Sequence, residues 1–124
     1  MSQRPRIIAA IPVLPVLDLA KATEFYRDRL GFRTLFSSDG YAGVIRDTVE
    51  LHLWVTTDPA LARVTSCRLV VEGVDALYRE LREKDVIHPK GALAAQPWGT
   101  KEFVALDLDG NALRFAEELT PGMA

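Results

Sequence analysis

The chain is 124 residues long, a length suited to one domain, and its 48% hydrophobic content supports a buried core without supplying the long apolar run of a membrane span. Its net charge of −2 argues against non-specific nucleic-acid binding, which usually needs a concentrated basic face. The single cysteine, Cys67, excludes an internal disulfide and reads as a small buried side chain on an apolar strand.

Arg4 and Arg6 ahead of an apolar stretch imitate a short signal peptide, but Pro12 and Pro15 interrupt it, so the chain reads as cytoplasmic with no membrane partner. Ile7 to Val16 is β-rich and apolar on both faces. Its prolines forbid a helix and suit an edge strand or an arm exchanged with a second copy. Asp18 then caps a helix in which Ala22, Phe25, Tyr26 and Leu30 recur at helical spacing, and Gly31 supplies a left-handed stop. Phe32 to Ser37, Tyr41 to Arg46 and Val49 to Thr56 read as three strands, separated by Ser38-Asp39-Gly40 and by Asp47-Thr48. This first half is β-α-β-β-β.

After a linker from Asp58 to Val64, the same order returns. Thr65 to Val71 reads as a strand, Val74 to Lys84 as a helix with Val74, Leu77, Tyr78 and Leu81 on one side, and three shorter strands follow. The chain thus divides into module 1 (about 7–57), a linker (about 58–64) and module 2 (about 65–118). Asp85 stands where Gly31 stood, an imperfect match. The strongest local signal is a hairpin whose arms, Lys101 to Leu108 and Asn111 to Glu117, are joined at Asp109-Gly110-Asn111, residues that tolerate the positive φ of tight turns. On its second arm Leu113 and Phe115 share one face and Arg114 the other, so one face packs and the other can line a cavity. Just upstream, Pro97 and Gly99 flank Trp98, which suits a loop that presents an indole.

The stretch P-W-G-x-x-E-F-x-x-x-D-x-D-G-N-x-L-R-F, together with E-L-H-L-W and T-S-C, resembles the bleomycin-resistance branch of the vicinal-oxygen-chelate superfamily, which also contains glyoxalases and extradiol dioxygenases. The resemblance covers nearly the whole chain. It implies an α+β fold in which two βαβββ modules form a curved mixed sheet around a cleft, in an arm- or module-exchanged homodimer. Metal-dependent relatives carry ligands early on the first strand and on the last strand of each module. Those points fall here on Ile11, on Glu50 or His52, on Ser66 and on Arg114. Ile11 and Ser66 are not usual ligands, and a guanidinium has no lone pair to give, so no metal or other cofactor is expected. Glu50 and His52 remain a weak alternative. His88, beside Pro89, reads as a loop residue. Ser66 has neither a nearby histidine nor a strained G-x-S-x-G turn, which leaves no nucleophile, and no Gly-rich phosphate loop is present.

The cleft positions that the resemblance defines hold Phe36, Tyr41, Trp54 and Trp98 with Ser38, Asp39, His52, Ser66, Glu102 and Arg114. Flat rings beside a few hydrogen-bonding groups suit a planar, polar small molecule. The resemblance implies an antibiotic-binding protein that neutralises a bleomycin-type drug by holding it, with Trp98 and Tyr41 stacking and Asp39 and Glu102 supplying acidic groups. Two rival readings follow from the same superfamily. One is a metal-dependent lyase or isomerase of the glyoxalase type; the other is a metabolite-binding module.

Overall fold

The computed structural model describes residues 4–119. Strand β1 (Val13–Val16) leads into helix α1 (Leu19–Leu30) and strands β2 (Arg33–Ser38), β3 (Tyr41–Arg46) and β4 (Val49–Val55). A single 3₁₀ turn (Ala62–Val64) separates these from β5 (Ser66–Val70), α2 (Val74–Glu83), β6 (Ala94–Ala95), β7 (Thr100–Leu106) and β8 (Ala112–Glu118). The strands form two four-stranded mixed sheets with matching orders, β1-β4-β3-β2 and β5-β8-β7-β6. In each, the first strand of the module runs parallel to the last, and the other pairs are antiparallel.

Helix α1 begins where Asp18 Oδ1 accepts the Lys21 N–H at 2.9 Å, and it ends at Gly31, whose φ of 77° lets its N–H reach back to the Tyr26 carbonyl. Helix α2 has no capping side chain of its own. Its N-cap is Gly73, and the carboxylate of Glu117, on β8, accepts the N–H groups of Gly73 and Val74 instead. Asp85, the residue that breaks the sequence repeat, adopts φ 57° and so takes the left-handed conformation of its counterpart Gly31. Aspartate tolerates that conformation better than most residues, and the backbone repeat survives the substitution.

Three expectations need correction. The N-terminal strand is Val13–Val16 rather than Ile7 to Val16; upstream, Ile7 and Ile8 are 98% and 83% exposed and residues 4–12 have no regular structure. The ladder ends where His52 donates its N–H to the Pro12 carbonyl, because Pro12 has no N–H with which to continue it. The last three strands are not uniformly shorter than their counterparts. β6 shrinks to two residues, but β7 and β8 have seven each. Finally, the hairpin arms stop at Leu106 and restart at Ala112, so the turn is wider than Asp109-Gly110-Asn111.

Asp107 explains that wider turn. Its Oδ1 accepts the N–H groups of Asp109, Gly110 and Asn111 at 2.9 to 3.0 Å, which satisfies the turn from inside. Its Oδ2 accepts the Tyr26 hydroxyl at 2.7 Å and Asn111 Nδ2 at 2.8 Å. Asn111 Nδ2 also donates to the Pro15 carbonyl, and Asp109 Oδ1 accepts the Leu17 N–H. The turn therefore fastens module 2 onto the β1–α1 junction of module 1. Burial pushes the Asp107 carboxyl above its usual value even though its donors oppose the shift, and burial followed by the nearby Asp107 charge pushes the Tyr26 hydroxyl well above 10.

The helices cover the inner faces of the sheets, and one core serves both modules. Leu14, Tyr26, Leu51 and Leu53 join Leu81, Phe103, Leu113 and Phe115 in a continuous buried cluster. Phe103 and Phe115 stack at 4.9 Å between centroids. Strand alternation then sends the intervening residues of β3, β4, β5, β7 and β8 outward, and the outer faces hold most of the polar and aromatic groups singled out above.

Candidate functional site

On the module 1 sheet the antiparallel register sets Tyr41 beside Trp54, Gly43 beside His52 and Ile45 beside Glu50, all on the outer face. Phe36 lies opposite Gly43, after a register shift between Thr34 and Phe36. A Cβ at Gly43 would stand 2.3 Å from the Phe36 ring, so the glycine is what lets that ring lie across β3. Phe36 stacks near-parallel to Tyr41 and meets His52 edge-on at 5.3 Å. The Tyr41 hydroxyl bonds His52 Nδ1 at 2.7 Å, and His52 Nε2 bonds Glu50 Oε2. With a neutral imidazole, Tyr41 donates to Nδ1 and Nε2–H donates to the carboxylate. Ser38 closes β2 opposite Tyr41, and Asp39 occupies the exposed turn that follows.

On the module 2 sheet Glu102 is the hub. Its oxygens accept both terminal nitrogens of Arg68, at 3.2 and 2.8 Å, the Trp98 indole N–H at 2.9 Å and the Thr100 hydroxyl. The Arg68 bond, followed by those from Thr100 and Trp98, holds the Glu102 carboxyl down at about 2 against the opposing effect of burial. Trp98 remains 65% exposed, with its orientation fixed through its N–H. Arg114 lies beside Arg68 across the parallel β5–β8 pair and opposite Val104 on β7. A pocket of about 200 Å³ opens here, walled by Lys90, Gln96, Trp98, Glu102, Val104 and Arg114. Ser66, two residues before Arg68, shares its outward face but lies opposite Ala112.

The ten residues named from the sequence thus fall into two groups on two sheets. Phe36, Ser38, Asp39, Tyr41, His52 and Trp54 belong to module 1; Ser66, Trp98, Glu102 and Arg114 belong to module 2. Glu102, expected to supply an acidic group to a ligand, accepts one donor at Oε1, from Arg68, and three at Oε2, from Arg68, Trp98 and Thr100. Sequence reasoning also missed Arg68 and Gly43. Alternation along T-S-C-R-L places Arg68 on the outer face, but only the β5–β8 register puts it next to Arg114. A larger groove, about 690 Å³, lies between the modules over Phe32, Leu69, Leu77 and Phe115, with the Arg46–Glu80 ion pair on its wall. Nothing in the sequence pattern pointed to it.

The donor set does not fit a divalent metal of the superfamily kind. Ile11 and Ser66 supply no usual ligand, Arg114 supplies a positive charge, and Glu50 and His52 bond each other. Among the described residues no group of three His, Cys, Asp or Glu side chains is placed to hold an ion. His88 Nδ1 accepts the Lys90 N–H within its loop, and burial pushes the Cys67 thiol up to about 11, the range of an unreactive thiol. No helix among the described residues is long and apolar enough to cross a membrane.

Two βαβββ modules around one core, each with a first strand parallel to its last, define the paired-module architecture of the glyoxalase-like proteins. A family profile described as "Glyoxalase superfamily protein" matches residues 6–122. A bleomycin resistance protein of Geobacillus stearothermophilus is 32% identical over 130 aligned positions, covering 91% of this chain and 98% of the relative. Among solved structures, the bleomycin resistance determinant encoded on transposon Tn5 superposes with a TM-score of 0.79 at 28% identity, covering 90% of this chain and 98% of its own. The bleomycin-binding protein of the bleomycin producer Streptomyces verticillus, solved with copper(II)-bleomycin, gives 0.79 at 30% identity and covers 90% and 97%. The chain belongs to the glyoxalase superfamily and, within it, to the bleomycin-resistance proteins.

Proposed function

We propose that this protein binds a bleomycin-type antibiotic and protects by sequestration, without chemical change to the drug. The observation that carries the reading is the pairing of a fixed, solvent-facing indole at Trp98 with the aromatic face of Phe36, Tyr41 and Trp54, in a chain whose metal-ligand positions hold Ile11, Ser66 and Arg114. Flat rings with few free polar groups stack on planar heterocycles, and sequestration needs affinity alone. In this reading the single-domain subunit works as a homodimer. The two faces point outward from a common core, so a second copy is what would bring the module 1 face of one subunit opposite the module 2 face of the other and close a cleft. The exposed apolar arm around Ile7 and Ile8 supports the same assembly, since isolated apolar segments of this kind are usually covered.

The test is the melting temperature of the purified protein against metal-free and copper-loaded bleomycin, with mass spectrometry of the drug recovered afterwards. At a hundredfold excess over its dissociation constant the drug should stabilise the fold by about 2.7 kcal/mol and be recovered intact. A chemically altered drug, or no shift at saturating concentration, refutes sequestration. A particle of only 13.8 kDa in sedimentation at micromolar concentration refutes the dimer.

A further inference from the structure

Strand register assembles on the outer face of module 1 what no local stretch of the sequence displays: a nucleophile, a base and a carboxylate in line. The Tyr41 hydroxyl reaches His52 Nδ1 at 2.7 Å, and His52 Nε2 bonds Glu50 Oε2. That order is the geometry by which hydrolytic triads are recognised on unrelated folds, here with the two ring nitrogens in exchanged roles. Among the described residues Glu50 forms no ion pair with a lysine or arginine, so its charge is free to balance an imidazolium. Phe36 stacks near-parallel to the phenol and meets the imidazole edge-on, which shields the pair on one side. His52 keeps 17% of its side chain exposed and Tyr41 is half-buried, so both stay within reach of a small molecule. The other tyrosines lack this setting. Tyr26 is fully buried against Asp107, and Tyr78 carries the Arg82 guanidinium over its ring at 5.5 Å.

We propose that Tyr41, His52 and Glu50 form a catalytic centre that transfers the acyl group of activated aryl esters to water, with Tyr41 as nucleophile, His52 as general base and Glu50 as the residue that positions the imidazole. In the first step the Tyr41 oxygen bonds the ester carbonyl carbon while its proton passes to His52 Nδ1; the bond to the aryl oxygen breaks, and the departing aryloxide takes that proton. In the second, water attacks the tyrosyl ester, and His52 accepts the water proton and returns it to the Tyr41 oxygen as the acyl bond to that oxygen breaks. The products are a phenol and a carboxylic acid. What the face lacks sets the substrate class. β3 and β4 each lie between two neighbouring strands, so the N–H groups beside Tyr41 and His52 are spent on the ladders rather than on an oxyanion. One oxyanion donor is worth about 10² to 10³ in rate, and a phenol displaces only a leaving group more acidic than itself. Alkyl esters and amides are thereby excluded, and nitrophenyl esters remain.

The test follows release of 4-nitrophenol from 4-nitrophenyl acetate by the purified protein and locates the acetyl group by mass spectrometry after an acid quench. Acetyl should appear on Tyr41, and Tyr41→Phe, which keeps the ring and its contact with Phe36, should abolish both the adduct and the turnover at an unchanged melting temperature. His52→Gln should lower kcat by about 10². Glu50→Gln should lower kcat with little change in KM, and Glu50→Asp should keep part of the rate, a split that a merely structural carboxylate would not produce. Tyr78→Phe should match the native protein. Release no faster than in buffer, acetyl confined to lysines, or equal turnover by the native protein and Tyr41→Phe overturns the centre. The activity stands apart from sequestration. Turnover that depends on Tyr41 without any drug-induced stabilisation keeps this proposal and removes that reading, and stabilisation by the drug without such turnover does the reverse.

Discussion

The outer faces of the two sheets share a topology and differ in almost everything else. His52 on β4 and Arg114 on β8 occupy matching places, as do Gly43 on β3 and Val104 on β7. In module 1 the glycine lets Phe36 lie flat, and Tyr41, His52 and Glu50 satisfy one another in a chain of hydrogen bonds. In module 2 a branched side chain fills the glycine's place, the aromatic ring stands off on a loop, and an arginine is left over. Inward positions diverge far less: Leu53 answers Phe115 and Leu14 answers Leu69, all buried. A repeated fold constrains what faces the core and leaves the outward positions free, which is why the site and not the architecture has to carry the functional argument.

The comparison assumes that the modules stand or fall together, and the largest expected effect tests that. Asp107→Ala would orphan three turn N–H groups and the buried Tyr26 hydroxyl, and it should cost about 3 kcal/mol or more while urea unfolding remains a single transition. Two separated transitions would mean independent modules. Trp98→Ala comes next: affinity for the drug should fall about tenfold, with little change in melting temperature. A loss of about 3 to 5 kcal/mol of stability would instead mark Trp98 as a core residue. Asp18→Ala and Glu117→Ala each remove a helix cap, one local and one reaching across from β8, and each should cost about 1 kcal/mol in denaturant titrations. The smallest effect concerns acid. Because the folded-state value of Glu102 is depressed to about 2 from its usual 4.5, its contribution is complete above 4.5 and is lost as pH falls toward 2. The stability gap between the native protein and Glu102→Gln should therefore narrow through that window in a pH series of melting curves.

The parts of the fold legible in the sequence were the locally encoded ones. Asp18 and Gly31 bracket α1 because a cap and a left-handed stop depend on a few adjacent residues, and the internal repeat shows for the same reason. The length of β1 was not legible, since a strand extends only as far as its partner offers bonds, and Pro12 ends that supply. The D-x-D-G-N turn could be located, but not the buried role of Asp107, which depends on Tyr26 arriving from 81 positions away. For the site, alternation gave the facing of Arg114, whereas His52 and Trp54 were named from the resemblance alone. The separation of the ten residues onto two sheets, and the engagement of Glu102 by Arg68, came from strand register that no local pattern encodes.

The fastening of the turn to the β1–α1 junction has a consequence for synthesis on the ribosome. Leu17, Pro15 and Tyr26 emerge early, yet their partners Asp109, Asn111 and Asp107 are 92, 96 and 81 positions later. The first half must therefore leave the exit tunnel with its Tyr26 hydroxyl unpartnered and its share of the common core uncovered, and it waits for nearly the whole chain before closing. Native contacts that span such distances slow folding and prolong the exposure of apolar surface. Nascent chains truncated before Asp107 should be held by chaperones and digested readily by protease, and resistance should appear in one step once the turn has cleared the tunnel.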